Sequence, residues 1–404
     1  MQKVRFSIGD VAYTPAWELD EITRGVAGLL ESFADRLPKS PHARIVIKPN
    51  LNNDLVALTG NSVDLRVLGA LISALQARGF TNIVVGDGSN IGIERRGIDA
   101  FARLRVDRLT KRYGVGLVDL NHDAGEPVVL CAGARPRVAE TIMTADMLIS
   151  VPKVKTHAEA MLSCAMKNWV GIACGQEKRH MHYDLARNIF AINEVVQPDL
   201  ILVDAVIGME GNGPGDGDPF RLGHLIMSDN AFLNDVAVAH MVGLSCGEVP
   251  YLEHAYNAGY FDDELIADVA KQLPRVHTIR KPDPRTLGAR LAEARSLMWL
   301  KKAVRPITDR PAMAEIAYKM GLIQDVYFDQ GDEVAGVKRK HTECGSCDRC
   351  AQFCPTGLDV SEVGVKTSEA DCVGCMYCWW VCPENAIELE GSTGDRKSTR
   401  LNSS

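Results

Sequence analysis

The sequence has no apolar run of the length a membrane-spanning helix needs, about 20 residues. Its start, Met1-Gln2-Lys3-Val4-Arg5-Phe6, contains no apolar stretch of signal-peptide size. These two absences make the cytoplasm the expected location and argue against a membrane partner. A basic excess is also missing: the net charge is −7, which argues against a general nucleic-acid binder. No G-x-G-x-x-G follows the first strand, and Gly211, Gly213, Gly215 and Gly217 lack that spacing. A nicotinamide or flavin fingerprint is therefore not found. Cysteine is thin over most of the chain, because eight of the 12 fall between Cys344 and Cys382. Even dispersal through a small secreted chain would imply disulfides, whereas this crowding implies metal. Cys131, Cys164, Cys174 and Cys246 show no ligand spacing and read as small buried hydrophobes.

What is present suits a globular protein of two or three domains, with 46% apolar residues over 404 positions. Strand-like runs at Arg44–Lys48, Asn82–Val85, Gly116–Leu120, Met147–Val151, Leu200–Val206 and His224–Met227 are spaced by helical stretches, among them Val63–Gln76 and residues 97–113. The expected fold class is α/β, a mostly parallel sheet with flanking helices. That domain spans residues 1–249. Residues 250–340 read as a helical linker region broken at Pro274, Pro282, Pro284, Pro306 and Pro311. Within it Leu287–Val304 carries an apolar stripe beside Arg290, Arg295, Lys301 and Lys302. It reads as a packing helix, with a membrane-touching helix as the alternative. Residues 395–404 resemble the translation of a sequencing-adapter DNA and are expected to be a non-native, disordered tail.

Cys344, Cys347, Cys350 and Cys354-Pro355 form C-x2-C-x2-C-x3-C-P, and Cys372, Cys375, Cys378 and Cys382-Pro383 repeat it. Two residues between ligands let one loop wrap three corners of an iron–sulfur cube, while the fourth cysteine reaches the other cube. The expectation is two [4Fe–4S] clusters, one on Cys344, Cys347, Cys350 and Cys382, the other on Cys372, Cys375, Cys378 and Cys354. Zinc is the competing occupant, but zinc sites pair two C-x2-C hooks and need neither the third cysteine nor the proline. Residues 341–394 resemble bacterial two-cluster ferredoxin domains, small α+β units. The stretch holds nine acids and two bases, which suits docking to a basic redox partner or external electron donor. Trp379 and Trp380 lie between ligands, where they are expected to shield the cluster from water.

Polar clusters sit where the strands of the α/β domain should end, and ligands of open sheets bind there. Four of them, Ile47-Lys48-Pro49-Asn50, Lys155-Thr156-His157, Met166-Lys167-Asn168-Trp169-Val170-Gly171 and Asp204 through Pro214, together resemble the family catalogued as domain of unknown function 362 across about residues 40–245. The resemblance implies the α/β fold and a redox link, since such domains often precede an iron–sulfur domain. Two positions depart from its pattern: Asn193, where the family has an acid with Glu194 adjacent, and Asn230-Ala231-Phe232-Leu233, where Asp235 is retained.

Lys155, His157, Lys167 and His180 are the candidate catalytic residues. They lie in a stretch, 153–187, with far more bases than acids, which suits a carboxylate or phosphate substrate; a solvated basic face is the alternative. His180, His182 and Asp184 alternate, and on a strand they would share a face that could take a metal. The function implied first is a ferredoxin-dependent oxidoreductase acting on an anionic small molecule. An electron-transfer adaptor that binds a protein partner, and a non-redox enzyme with structural or sensing clusters, are the alternatives.

Overall fold

The computed structural model describes residues 1–94, 97–284, 320, 333–340, 344–345, 347–365 and 371–392. The amphipathic stretch Leu287–Val304 and the tail 395–404 lie outside the described residues. The sheet of the α/β domain contains β1 (Gln2–Phe6), β2 (Gly9–Pro15), β3 (Ile45–Pro49), β4 (Ile83–Asp87) and β5 (Gly116–Asp119). It continues, after a separate small hairpin of β6 (Gly125–Pro127) and β7 (Arg137–Ala139), with β8 (Met147–Val151), β9 (Lys153–His157), β10 (Met161–Ser163), β11 (Leu200–Asn212) and β12 (Asp216–Ser228). The strand order is β1-β2-β12-β11-β8-β3-β4-β5, with β9 alongside β11 and β10 alongside β9.

The run from β11 through β8, β3 and β4 to β5 is parallel. Its strands read as continuous apolar segments because helices cover both faces; Ile45, Val46 and Ile47 are all fully buried. The other edge is antiparallel, built from the β1–β2 hairpin and the long β11–β12 hairpin. The sequence pattern exposed only the end of β12, since its first half mixes Gly217, Pro219 and charged residues with partly exposed positions. The helical stretch 97–113 is two helices, Ala100–Leu104 and Val106–Tyr113, broken where Arg105 takes φ 62°.

Helices α1 (Leu19–Ser32) and α2 (Leu65–Ala77) pack on one face of the sheet, and Leu185–Val195 with Ala231–Met241 on the other. Ten of the 13 residues of α2 are buried. The core on its side also takes in Phe353, Val373, Met376, Tyr377, Trp380 and Val381 of the cysteine-rich module. That module closes with an antiparallel pair, β13 (Glu333–Arg339) against β14 (Ile387–Ser392). β13 lies before residue 341, in the stretch read from sequence as linker. Of that linker, Pro250–Asn257 and Asp263–Gln272 are helical.

A buried charge network ties α2 to the sheet. Lys153 Nζ lies 2.8 Å from Asp204 Oδ2, both side chains being fully buried. The same Asp204 oxygen accepts the Asp64 amide at 2.7 Å. Asp64 caps α2 by accepting from Arg66 N at 2.9 Å and pairs with the Arg66 guanidinium at 2.6 Å. Burial pushes the Asp64 carboxyl up, but Arg66 and Lys153 outweigh it and hold the group below its usual range. Removing one member of such a pair leaves an uncompensated buried charge. Asp204→Ala is expected to cost about 3–5 kcal/mol, read as a lower denaturant midpoint with unchanged slope; loss within ~0.5 kcal/mol, the range of ordinary surface changes, would contradict the network's role.

Candidate functional site

The ends of β3 and β4, strand β9 and the segments after it meet around a cleft of about 160 Å³. Chain order explains the meeting. β3 ends in Lys48-Pro49-Asn50 and β4 in Asp87-Gly88-Ser89, at the carboxyl edge where an open α/β sheet exposes its loops. The short helix Ala165–Asn168 and the 3-10 segment Gly175–Tyr183 bring Lys167, Asn168, Lys178, Arg179 and His182 to the same rim.

The lining is rich in cations: Lys48, Lys155, Lys167, Lys178 and Arg179 stand against the carboxylates Asp87 and Glu159. Lys48 pairs with Asp87 at 2.6 Å in a buried setting and also donates to Asn168 Oδ1 and Pro49 O, each at 2.9 Å. Burial lowers the Lys48 pKa, and Asp87 opposes that shift. Asp87 in turn accepts Leu51 N at 2.6 Å and Gly88 N at 2.8 Å. Lys155 Nζ donates to Asn50 Oδ1 and Asn61 O, each at 2.9 Å. Lys178 Nζ donates to Gly88 O at 2.7 Å and Asn121 Oδ1 at 2.8 Å. These lysines are held in place by protein acceptors, and they create a fixed positive field in a partly dry cleft. Such a field favours an anion.

His157 Nδ1 accepts the amides of Glu159 and Ala160 at 3.1 and 3.3 Å. Those partners assign the ring proton of the neutral imidazole to Nε2. Two glycines fit the site closely. A Cβ on Gly171 would meet Asp87 Oδ1 and Lys48 Nζ at 2.6 Å each, and one on Gly88 would meet Lys178 Nζ at 2.4 Å.

The cleft thus gathers Lys155, His157 and Lys167 of the four candidate residues. His180 does not line it; its ring stacks on Tyr183 at 5.0 Å. The alternation of His180, His182 and Asp184 produces no shared face, because Gly175–Tyr183 is a 3-10 helix and not a strand. His182 pairs with Glu159 at 3.1 Å, and Asp184 accepts Arg187 N at 3.4 Å at the start of a helix. Of the positions that depart from the family pattern, Asn193 is buried and donates to Met166 O at 2.9 Å. The retained Asp235 is buried and accepts the amides of Ala165 and Met166 at 2.8 and 3.0 Å, which fixes the turn that presents Lys167. Lys48, Asn168 and Asp87 (in Gly86-Asp87-Gly88-Ser89) belong to polar clusters at strand ends in the sequence, and Lys178 to the basic stretch 153–187; nothing there distinguished them as mutual partners. The Asp64–Arg66–Asp204–Lys153 network was missed. Asp204 stands in one of the polar clusters and Lys153 in the basic stretch, but neither points to the other; the further signal was a lone arginine, Arg66, inside an otherwise apolar helix pattern.

The cysteines wall two separate cavities. Cys344, Cys347, Cys350 and Cys382 surround one, beside Arg339 and Ile387. Cys354, Cys372, Cys375 and Cys378 surround the other, beside Val337, Val363 and Met376. Each loop of three thus borrows its fourth cysteine from the other motif. Among the described residues no group of three or more His, Cys, Asp or Glu side chains is placed to hold a single metal ion. Four sulfurs around a cavity, rather than around a point, fit the iron–sulfur cube that the spacing implies. Arg339 Nη2 reaches Cys350 Sγ at 3.7 Å and Ala386 N donates to Cys382 Sγ at 3.2 Å, contacts of the kind that orient ligands and tune potential. Burial pushes the Cys350 and Cys375 thiols above their usual pKa, so a bound cationic metal would be needed to hold either as a thiolate. Trp380 is buried in the core shared with α2, and Trp379 meets it edge-on at 5.5 Å.

Two substitutions check this geometry. Gly171→Ala is expected to push apart Lys48 and Asp87 and to destabilise by about 1–3 kcal/mol, seen as a lower melting temperature; an unchanged one would mean the ion pair yields freely. Cys354→Ser is expected to halve the bound iron while the magnetic-resonance signal of the site of Cys344, Cys347 and Cys350 persists. Loss of that signal instead would show that the fourth ligands are not exchanged.

Residues 45–240 match the family described as Domain of unknown function (DUF362), and residues 365–388 match the 4Fe-4S binding domain. The thylakoid-associated protein sll1697 of Synechocystis is 30% identical over 121 residues, which make up 28% of this chain and 38% of that protein. Among the described residues no helix is long and apolar enough to cross a membrane. The lactate racemase apoprotein of Thermoanaerobacterium thermosaccharolyticum is 13% identical with a TM-score of 0.36, covering 47% of this chain and 49% of that one, a likeness too low to bear on chemistry. Residues 45–240 of this iron–sulfur protein are a DUF362 domain, and residues 365–388 lie in a carboxy-terminal 4Fe-4S binding domain.

Proposed function

We propose that the chain is a ferredoxin-dependent oxidoreductase with two [4Fe–4S] clusters, acting on an anionic small molecule held in the cleft of the α/β domain. The observation that carries this reading is the cation-rich cleft lying in one body with two four-cysteine cavities. Bound there, [4Fe–4S] clusters supply single-electron exchange.

The remaining chemistry falls to side chains of this chain. Lys167 attracts and orients a carboxylate or phosphate by charge-assisted contacts, which are stronger than neutral hydrogen bonds, and Lys155, anchored on Asn50 and Asn61, fixes a second positive charge for it. Lys48 and Lys178, locked to protein acceptors, add field without moving. His157 carries its proton on Nε2 and is the candidate donor for a proton that must accompany reduction. An external electron donor with a basic face is the proposed partner, since residues 341–394 hold nine acids and two bases, with Asp348 and Glu384 exposed beside Arg349 near Cys347.

The test is anaerobic. Reduced, iron-loaded protein is mixed with a panel of unsaturated carboxylates and phosphates, and reoxidation is followed by absorbance. Reoxidation by a small molecule is expected, with Lys167→Ala lowering its rate at least tenfold while the absorbance of the bound iron–sulfur centres is retained. Reoxidation only by a protein would instead support an adaptor, and an unchanged rate in Lys167→Ala would remove the cleft as the substrate site.

A further inference from the structure

The two cysteine-walled cavities stand differently toward the α/β domain. The one formed by Cys354, Cys372, Cys375 and Cys378 backs directly onto it. Tyr377, between two of those cysteines, is buried, and its hydroxyl accepts the Leu65 amide at 3.1 Å. That amide is one of the unpaired donors at the start of α2, so the module completes the helix end. Phe353, the residue before Cys354, lies under the Arg66 guanidinium at 4.2 Å and edge-on to Trp17 at 5.5 Å. Arg105 Nε donates to Gly374 O at 3.2 Å. The cavity of Cys344, Cys347, Cys350 and Cys382 is turned to solvent instead: Cys347, Asp348, Arg349 and Glu384 are all exposed.

From Leu65 the chain leads back to the cleft. Asn61 O accepts Lys155 Nζ at 2.9 Å, and Asn61 is four residues before Leu65. Four residues span at most about 14 Å even when fully extended. With a hydrogen bond at each end, Lys155 Nζ therefore stands within about 20 Å of the Tyr377 hydroxyl. The intervening stretch is buried and polar: Asn61 Oδ1 and Ser62 Oγ have no protein partner, and Asp64 joins Arg66 and Lys153 through Asp204.

We infer that the two sites are unequal: the one of Cys354, Cys372, Cys375 and Cys378 is coupled to the cleft through the buried segment Asn61–Arg66, while the one of Cys344, Cys347, Cys350 and Cys382 faces solvent and is not. The inference rests on the two-cluster reading given above. Charge in the cleft and charge at the inner site act on each other across protein rather than water. At an order of 25 Å and an effective dielectric constant near 20, one unit charge changes such an equilibrium roughly threefold. The solvent-facing site is shielded, because the screening length at physiological salt is about 8 Å. The coupling is reciprocal: an anion in the cleft makes the inner site harder to reduce, and reduction there weakens anion binding by the same factor.

The experiment uses the full chain loaded with iron and sulfide without oxygen, titrated with a reductant while magnetic resonance follows two cluster signals. Glu384→Lys, an exposed change beside Cys382, identifies the outer signal by raising its midpoint. Lys155→Met then removes a positive charge from the cleft without touching a cysteine. Because Lys155 is buried and that variant can fail to fold, Lys167→Met serves as a second. The midpoint of the inner signal is expected to fall by the equivalent of a roughly threefold change in its reduction equilibrium, with the outer midpoint unchanged. Equal shifts, a larger shift in the outer signal, or no shift in either variant would overturn the inference and leave the two-cluster reading standing. Iron for fewer than two cubes in the unmodified protein would overturn that reading, and this inference with it.

Discussion

Four lysines, Lys48 on β3, Lys153 and Lys155 on β9 and Lys178 on the 3-10 segment, are buried against the sheet, and compensating their charge decides which segments must meet. An ammonium taken out of water costs several kcal/mol unless an acceptor is placed against it. Asp87, Asn50 and Asn121 are acceptors at or just after the ends of three different strands, and Asp204 is an acceptor from within β11. Meeting this demand fixes which loops converge. It also explains the close glycines, since Gly88 and Gly171 leave the room that the lysine heads fill. Where Lys155 and Lys178 reach the cleft beside Lys167 and Arg179, cations outnumber the carboxylates Asp87 and Glu159.

The same demand reaches the cysteine module. Asp204 serves Lys153 on one side and the Asp64 amide on the other, and Asp64 holds Arg66. Arg66 offers its flat guanidinium to Phe353, a cation over an aromatic face in a dry setting. The module's own aromatic residues, Tyr377 and Trp380, finish the core that α2 shares with the sheet. Docking is therefore built from the first residues of one helix. Basic residues of the α/β domain also donate to backbone carbonyls of the module, Arg105 to Gly374 O and Arg112 to Thr356 O.

How much of this was legible in the sequence follows from how local each signal is. The cysteine spacing is local, and it led to the pairing of Cys382 with the first loop and Cys354 with the second. Apolar runs such as Met147–Val151 are local too, and that strand matches its observed limits. The antiparallel edge was less visible because β12 begins with glycine, proline and charge, and its pairing with β2 joins residues about 210 positions apart. The cleft was legible as a set of polar words at strand ends, but not as a set of partners: Lys48 finds Asn168 from 120 residues away. His180 misled because alternation carries meaning only on a strand, and the chain there winds as a 3-10 helix. Arg66 was overlooked because a single charge on an apolar helix has no local explanation; its reason lies in Phe353 and Asp64.

The segment at the start of α2 touches the cleft through Asn61 and the cysteine module through Tyr377 and Phe353. Anomalous X-ray scattering at the iron edge, on crystals of the protein loaded and kept without oxygen, locates bound iron directly. The expected result is two separate clusters of iron peaks, one inside each four-cysteine cavity, with the one nearer α2 lying among Cys354, Cys372, Cys375 and Cys378. Single isolated iron peaks, or a nearer cluster on the side of Cys344 and Cys347, would contradict it.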